Sequence, residues 1–219
     1  MAGGLLYVML HKPRRVVSTA HDPEGRRTVT DMVSIEGAQG PVRLFPVGRL
    51  DAETSGLILL TNDGALTHRL THARFGVTKE YLVAIKGLVR EADLALLRKW
   101  LQPGARGGNV RPARAANRPA QPAGRSAPFE PAVVEQARVV HQESGDRTVL
   151  RLTLQEGQHR ELHIMLLRLG LKVHRLRRVG IGPIKLKGLG SGNWRFLTPA
   201  EVRALKGAVG LQRPVISSR

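Results

Sequence analysis

The 219-residue sequence contains no cysteine, which excludes disulfides, thiolate catalysis and cysteine-based zinc or iron–sulfur sites. Aromatic residues make up only 4% of the chain, so the core is expected to be mainly aliphatic. The apolar run near the start, Leu5 to Leu10, covers six residues and is far too short to span a membrane. The basic residues follow this run, which is the wrong order for a signal peptide. We therefore expect a cytoplasmic protein with no membrane partner.

Acidic residues are also scarce, with 17 Asp and Glu against 35 Lys and Arg and a formal net charge of +18. A chain this basic is expected to bind a polyanion, and no amphipathic helix suited to an anionic membrane stands out, so nucleic acid is favoured. A two-metal nuclease needs several converging carboxylates, which such a chain supplies poorly. A Gly-rich phosphate loop followed by Lys-Ser/Thr is absent from the sequence as well. Neither a metal site nor a nucleotide cofactor is indicated.

The apolar pattern alternates between periods typical of strands and of helices. Strands are predicted at Leu5–Leu10, in "KEYLVAIKG", in "AVVEQARVV" and "TVLRLTLQEG", and around the Gly-Pro turn of "KVHRLRRVGIGPIKLKGL". Helices are predicted in "READLALLRKWL", "RELHIMLLRLG" and "TPAEVRALKG". "TNDG" fits either a hairpin turn or a helix start, and the spacing of Leu66 and Leu70 favours the helix. The order of elements predicts an α+β fold, a mainly antiparallel mixed sheet with flanking helices.

Composition divides the chain unevenly. Residues 103–128 are rich in Pro, Gly, Ala and Arg, and they contain no acidic residue. Such a segment is expected to form a long flexible insertion, either an inert variable loop or a basic arm that orders on RNA. We expect a single domain over residues 1–207, with room for a small N-terminal α/β subdomain, and a tail over 208–219.

A carboxylate precedes the most apolar strand, in "VGRLDAETSGLILLTNDG". Asp51 could simply pair with Arg49 or stabilise a turn. In a polyanion-binding protein, however, a carboxylate held rigidly beside a buried strand and kept ionised by a nearby Arg49 suits nucleophilic or general-base work on a sugar or base. Cleavage of a glycosidic bond passes through an oxocarbenium-like state that such a group can stabilise or trap.

"GRLDAETSGLILLTNDG" closely resembles the catalytic motif of RNA pseudouridine synthases, in the branch that modifies ribosomal RNA at small-subunit and related large-subunit sites. "HKPRRVVST" resembles the early Lys-Pro loop of that family, and "KEYLVAIKG" resembles the strand that carries its active-site tyrosine. The segment from "QEGQHRELHIMLLRLG" to "TPAEVRAL" is similar to its C-terminal signature and closing helix. The likeness therefore extends over most of the chain.

The resemblance implies that Asp51 breaks the N-glycosidic bond of a target uridine and that the uracil rejoins the sugar through C5. The reaction is redox-neutral and needs no cofactor, and the base must be flipped out of the RNA. Arg49 is implied to fill the vacated space or hold the backbone, and Tyr81 to pack against the flipped base. Arg160 and His163 complete the implied substrate site. The basic surface expected to bind RNA comprises Lys12, Arg175, Arg177, Arg178, Lys185 and Lys187.

The chain departs from the family pattern in two places. Glu161-Leu162-His163 stands where the family usually has Gln-Val/Ile-Arg/Lys, so His163 replaces the usual basic partner of the catalytic Asp, unless Arg160 substitutes for it. Such a pair would need a protonated histidine. The small RNA-binding domain of the ribosomal-protein S4 type is also expected to be absent, which favours a large-subunit rRNA substrate. We expect a monomer.

Other functions remain open at this point. The first is a ribosome-associated RNA-binding module without catalysis, which the change at His163 would suit. The second is a hydrolase of nucleic acid that uses Asp51 and Glu53. A synthase that acts on small-subunit rRNA or tRNA is a third alternative.

Overall fold

The computed structural model describes residues 4–37, 40–100, 134–143, 147–154, 162 and 166–211. The expected basic insertion at 103–128 lies outside this part of the chain, as do Arg160 and His163. The chain forms two compact units, residues 1–79 with 177–219 in the first and residues 80–176 in the second. In the described ranges no helix combines the length and the apolar character needed to cross a membrane.

The helices are α1 (Gly64–Thr71), α2 (Glu91–Trp100) and α3 (Pro199–Ala208), and a 3-10 turn spans Ala73–Phe75. The strands are β1 (Tyr7–Lys12), β2 (Glu36–Gly37), β3 (Gly40–Pro41), β4 (Phe45–Val47), β5 (Ser55–Thr61), β6 (Lys79–Lys86), β7 (Val134–Glu143), β8 (Arg147–Leu154), β9 (Lys172–Ile181), β10 (Ile184–Lys185) and β11 (Trp194–Phe196).

The first unit is built on the strand order β11–β1–β5–β9, with β4 on β5 and β10 on β9. All of these pairs are antiparallel except β5 with β9, which is parallel. Every residue of β5 is buried, because the apolar run at its centre packs on both faces. The sequence prediction of an α+β fold with a mixed, mostly antiparallel sheet is therefore confirmed.

Two helices of the first unit begin at well-formed caps. Asp63 is the N-cap of α1 and accepts a hydrogen bond from the Leu66 amide at 3.0 Å, so "TNDG" starts a helix as predicted. Thr198 and Glu201 form a capping box at the start of α3, followed by Pro199. These local signals fix where the chain leaves the sheet.

In the second unit β6, β8 and β7 lie in that order, and β7 pairs antiparallel with β8. Tyr81, Val83 and Ile85 alternate along β6 and are at most 1% exposed, as their spacing predicts. On α2, Leu94 and Leu97 are buried on one helix face. Thr148 of β8 bonds the loop between β6 and α2. Its hydroxyl donates to the Gly87 carbonyl and accepts from the Val89 amide.

Candidate active site

A seven-residue connection between β4 and β5 carries the motif around Asp51, and hydrogen bonds hold its backbone at Leu50 and at Thr54. Leu50 is 2% exposed. Its backbone N–H and C=O both bond the Ser18 hydroxyl, at 3.0 and 2.8 Å. The Thr54 amide donates to the Asp51 carbonyl at 3.0 Å and closes the turn. The backbone of this connection is thus fixed before any substrate arrives.

The Asp51 side chain itself is exposed on this fixed backbone. Within the described part of the chain its carboxylate accepts no hydrogen bond and joins no ion pair. Arg49 is also exposed, and the alternative of an Arg49–Asp51 salt bridge is not found among the described residues. The interpretation of Asp51 as a plain structural ion pair with Arg49 therefore loses its basis.

Two buried cations lie beneath the connection. The strand registers place Lys12 of β1 opposite Gly56 of β5, and Gly56 opposite Arg178 of β9. Lys12 is 0% exposed and Arg178 is 1% exposed. The Lys12 Nζ donates to the carbonyls of Pro13 at 3.0 Å and Ala52 at 3.4 Å. The Arg178 Nε donates to the Leu57 carbonyl at 2.7 Å.

This burial corrects one expectation from the sequence. Lys12 and Arg178 were assigned to the RNA-binding surface because of their charge, yet neither side chain reaches solvent. Each instead donates to backbone carbonyls of the Asp51 connection or of β5. Lys12 thus contacts the backbone of the Asp51 connection, and Arg178 contacts the backbone of β5.

The electrostatics of Lys12 place it close to that carboxylate. Burial is the largest cause that lowers the pKa of Lys12, with the neighbouring Arg178 acting in the same direction, and the net pKa is about 8. The negative charges of Asp51 and Glu53 oppose both effects. Asp51 thus lies within electrostatic range of the buried Lys12 ammonium.

Close backbone approach explains the glycine at the centre of this arrangement. Gly56 has φ 115°, and a Cβ atom there would lie 2.1 Å from the Arg178 carbonyl oxygen. A side chain at this position would push β5 and β9 apart. Gly56 therefore allows the parallel contact that brings Arg178 against the start of β5.

The Lys-Pro loop braces the connection from the other side. The Arg15 amide donates to the Ala52 carbonyl at 2.7 Å. Arg14 forms an ion pair with Glu53, and the hydrogen bond from Arg14 lowers the pKa of Glu53. Glu53 is thus ion-paired with Arg14, whereas Asp51 has no ion pair among the described residues. This difference disfavours a hydrolase in which both acids would act on the substrate.

Comparison with known proteins identifies the family to which this chain belongs. A family model described as RNA pseudouridylate synthase matches residues 6–168. The chain belongs to the RNA pseudouridylate synthase family. It is therefore an isomerase of a family that acts on RNA.

Relatives and a solved structure agree with this assignment. The synthase is 34% identical over 207 residues to an uncharacterized RNA pseudouridine synthase of Aquifex aeolicus, covering 94% of this chain and 72% of the relative. It is 35% identical over 202 residues to the ribosomal large subunit pseudouridine synthase B of Bacillus subtilis, covering 92% of this chain and 71% of the relative. A crystal structure of a pseudouridylate synthase superposes with a TM-score of 0.68 at 28% identity, covering 92% of this chain and 74% of that one.

The remaining predicted site residues of the synthase are distributed over both units. Tyr81 belongs to the second unit, on β6, and is 0% exposed. Of the predicted RNA-binding residues, Arg177 is half-buried and three are exposed: Arg175, Lys185 and Lys187. Within the described ranges no group of three or more His, Asp or Glu side chains converges to hold a metal ion.

Sequence analysis missed three supports of the Asp51 connection, namely Ser18, Arg14 and the Ala52 carbonyl. Ser18 lies 32 residues from its partner Leu50, and Arg14 lies 39 residues from Glu53. No periodicity or spacing connects residues so far apart, so only their place in the fold reveals them.

Proposed function

We propose that the synthase converts a uridine of large-subunit ribosomal RNA to pseudouridine, with Asp51 as its catalytic carboxylate. The observation that carries this proposal is an exposed carboxylate with no partner among the described residues, on a backbone held from both sides. A buried structural acid is normally hydrogen-bonded or paired, whereas a reacting group must be accessible to substrate. The choice of large-subunit rRNA is supported by the name of the Bacillus subtilis relative.

Asp51 would promote cleavage of the bond between uracil N1 and the ribose C1′, stabilising or trapping the oxocarbenium-like sugar. The detached uracil turns within the site, and its C5 forms the new bond to C1′. N1 gains a proton and C5 loses one, so the reaction is redox-neutral and needs no co-reactant. The carboxylate ends in its starting state, ready for another turnover.

The other assigned residues serve substrate binding in this proposal. Exposed Arg49 would occupy the space left by the flipped uridine or hold its backbone, and Tyr81 would pack against the base. His163 or Arg160 would supply the basic partner of Asp51. We expect His163→Arg to be tolerated and His163→Ala to be damaging. The exposed cations Arg175, Lys185 and Lys187 would bind phosphate.

We further propose that the enzyme acts as a monomer in the cytoplasm, where rRNA and its assembly intermediates are found. A cytoplasmic location follows from the substrate proposed here. Mapping pseudouridines in rRNA from cells with and without the protein would identify the target, either in naked rRNA or in an assembly intermediate.

A tritium-release assay tests the proposed function. Large-subunit rRNA transcripts carrying tritium at uridine C5 are incubated with the protein in the absence of metal. Tritium release, with the RNA strand intact, is expected from the wild type, and Asp51→Asn should bind the transcript without releasing tritium. Free uracil or strand cleavage would indicate a hydrolase, and binding without release by the wild type would indicate an RNA-binding module.

A further inference from the structure

Arg15 has an unusual backbone for a residue with a large side chain. Its φ is 65°, and no other non-glycine residue in the described part of the chain has a positive φ. In this left-handed region the Cβ of an L-amino acid crowds the following carbonyl, so glycine or asparagine is normally found there. Arginine is therefore a disfavoured choice at this turn.

The surroundings of Arg15 impose this conformation. Lys12 precedes the turn and is 0% exposed, and Val16 follows it and is 4% exposed, so both sides are anchored in the interior. Between them the Arg15 amide donates to the Ala52 carbonyl at 2.7 Å, and the Lys12 Nζ approaches the same oxygen at 3.4 Å. A relaxed backbone at Arg15 would break the contact that ties the Lys-Pro loop to the residue after Asp51.

Apart from a Coulombic attraction to Glu53, the Arg15 side chain makes no contact with the described residues that would offset this strain. It is exposed, and among the described residues its guanidinium makes no hydrogen bond and no ion pair. The neighbouring Arg14 differs, because its guanidinium is engaged by Glu53. A glycine would satisfy the backbone better, so the arginine side chain is expected to serve something outside the folded chain.

We propose that Arg15 is an RNA-contact residue whose guanidinium binds the phosphate backbone of the strand that presents the target uridine to Asp51. The inference rests on the proposed function in taking RNA as the substrate at the Asp51 loop. Arginine suits this role because its planar fork can bind two phosphate oxygens at once. A flipped nucleotide also needs its flanking backbone held in place, and Arg15 is fixed one hydrogen bond from the residue that follows Asp51.

Three replacements distinguish the effect of the Arg15 side chain from the effect of its backbone strain. Arg15→Gly removes the guanidinium and the strain, Arg15→Ala removes the guanidinium and keeps the strain, and Arg15→Lys keeps both charge and strain. Binding to a large-subunit rRNA transcript is measured across about 50 to 200 mM KCl. Thermal unfolding is measured on the same samples, and kcat and KM are measured by tritium release.

The glycine and alanine variants should bind RNA about three- to tenfold more weakly at low salt, with the slope of log K against log salt reduced by about 1. Arg15→Lys should retain most of the affinity and the full slope. The Tm of Arg15→Gly should exceed that of Arg15→Ala by about 2–4 °C, because only glycine relieves the backbone. The loss of kcat/KM should come from KM.

Equal RNA affinity in all four proteins would overturn the proposal, and so would a loss confined to Arg15→Gly, which would assign the effect to the backbone. Both readouts, affinity and salt slope, are independent of turnover. If the wild type binds RNA but releases no tritium, the proposed function fails while the assignment of Arg15 is still decided by binding.

Arg203→Ala is the matched control. Arg203 is exposed on α3. That helix contacts Asp63 through Lys206, so it lies near the end of β5 opposite to the Asp51 connection. The replacement removes one positive charge, as Arg15→Ala does. If it lowers RNA affinity and salt slope to the same degree, the effect at Arg15 is one of net charge, and the local contact is rejected.

Discussion

Strand β5 has an aspartate before its start and another after its end, and the two side chains differ in burial and in hydrogen bonding. Asp51 lies just before β5 and is exposed, with no hydrogen bond to its carboxylate among the described residues. Asp63 lies just after β5 and is 8% exposed. It accepts from the Leu66 amide at 3.0 Å and from the Tyr7 hydroxyl at 2.7 Å, with Lys206 at 3.6 Å.

The electrostatic consequences also differ. Burial by itself would raise the pKa of Asp63, but the bonds from Leu66 and Tyr7 and the charge of Lys206 bring it below its ordinary value. Every oxygen of Asp63 is used to join β1, α1 and α3. Among the described residues, Asp63 is therefore used for stability and Asp51 is left unpaired, which is the difference expected between a structural acid and the proposed catalytic one.

The largest effect expected from this contrast is on turnover. Asp51→Asn should lower the rate of tritium release by at least about 10,000-fold, because it removes the reacting group without changing its shape. Asp63→Asn is the matched control, since asparagine still caps a helix, and its turnover should stay close to the wild-type rate wherever it is folded. A similar loss of rate in both variants would erase the proposed division of roles.

The second effect concerns the glycine that lets β5 approach β9. Gly56→Ala should lower the free energy of unfolding by about 3 kcal/mol or more, since the new Cβ would meet the Arg178 backbone. Gly64→Ala makes the same change at the Asp63 end of β5, where a Cβ would meet nothing within 4 Å. It should be neutral or stabilising by up to about 1 kcal/mol. Urea unfolding of both variants measures the difference.

The two ends of β5 also differ in how far the sequence could predict them. The Asp63 end is local in the chain: a capping acid, leucines four apart and a Thr-Pro-x-Glu start for α3 are all readable, and the structure has them. The α+β class followed from the same local periodicities. These features depend on neighbours within four residues, which is the range that sequence patterns report.

At the Asp51 end the sequence indicated the carboxylate but not its surroundings. The Arg178 bond to Leu57 spans 121 residues and the Ser18 bond to Leu50 spans 32, so neither pairing leaves a local pattern. Charge alone suggested that Lys12 and Arg178 bind RNA. Both are buried because their strands pair within the sheet, which the sequence does not show. Proximity alone suggested an Arg49–Asp51 ion pair, which does not form among the described residues. The roles of Tyr81, Arg160 and His163 stay predictions.

The third effect is on stability at the Asp63 end. Asp63→Ala should lower the free energy of unfolding by about 2 kcal/mol, because α1 loses its N-cap and the Tyr7 hydroxyl loses its acceptor. The Tm should fall by about 4–8 °C. Asp51→Ala is the control and should change stability by no more than about 0.5 kcal/mol, since no described contact depends on that side chain. A large loss of stability in Asp51→Ala would reveal a structural role for it.

The smallest effect is a pH dependence that distinguishes the lysines at the two ends. The pKa of Lys12 is lowered to about 8 in the folded protein, against 10.5 as its ordinary value. Between these pH values the unfolded chain keeps a proton that the folded protein has lost, so Lys12 makes stability rise with pH across that window. The pKa of Lys206 is raised, mainly by its hydrogen bond with Tyr7 and also by Asp63, so its contribution to stability is lost only above pH 10.5.

Urea unfolding measures this difference. The stability of the wild type minus that of Lys12→Met should increase from about pH 8 to 10.5, whereas the same difference for Lys206→Met should stay level there and decrease at higher pH. A level difference for Lys12→Met would mean that Lys12 keeps its proton in the folded protein, and that burial does not set its charge beside Asp51.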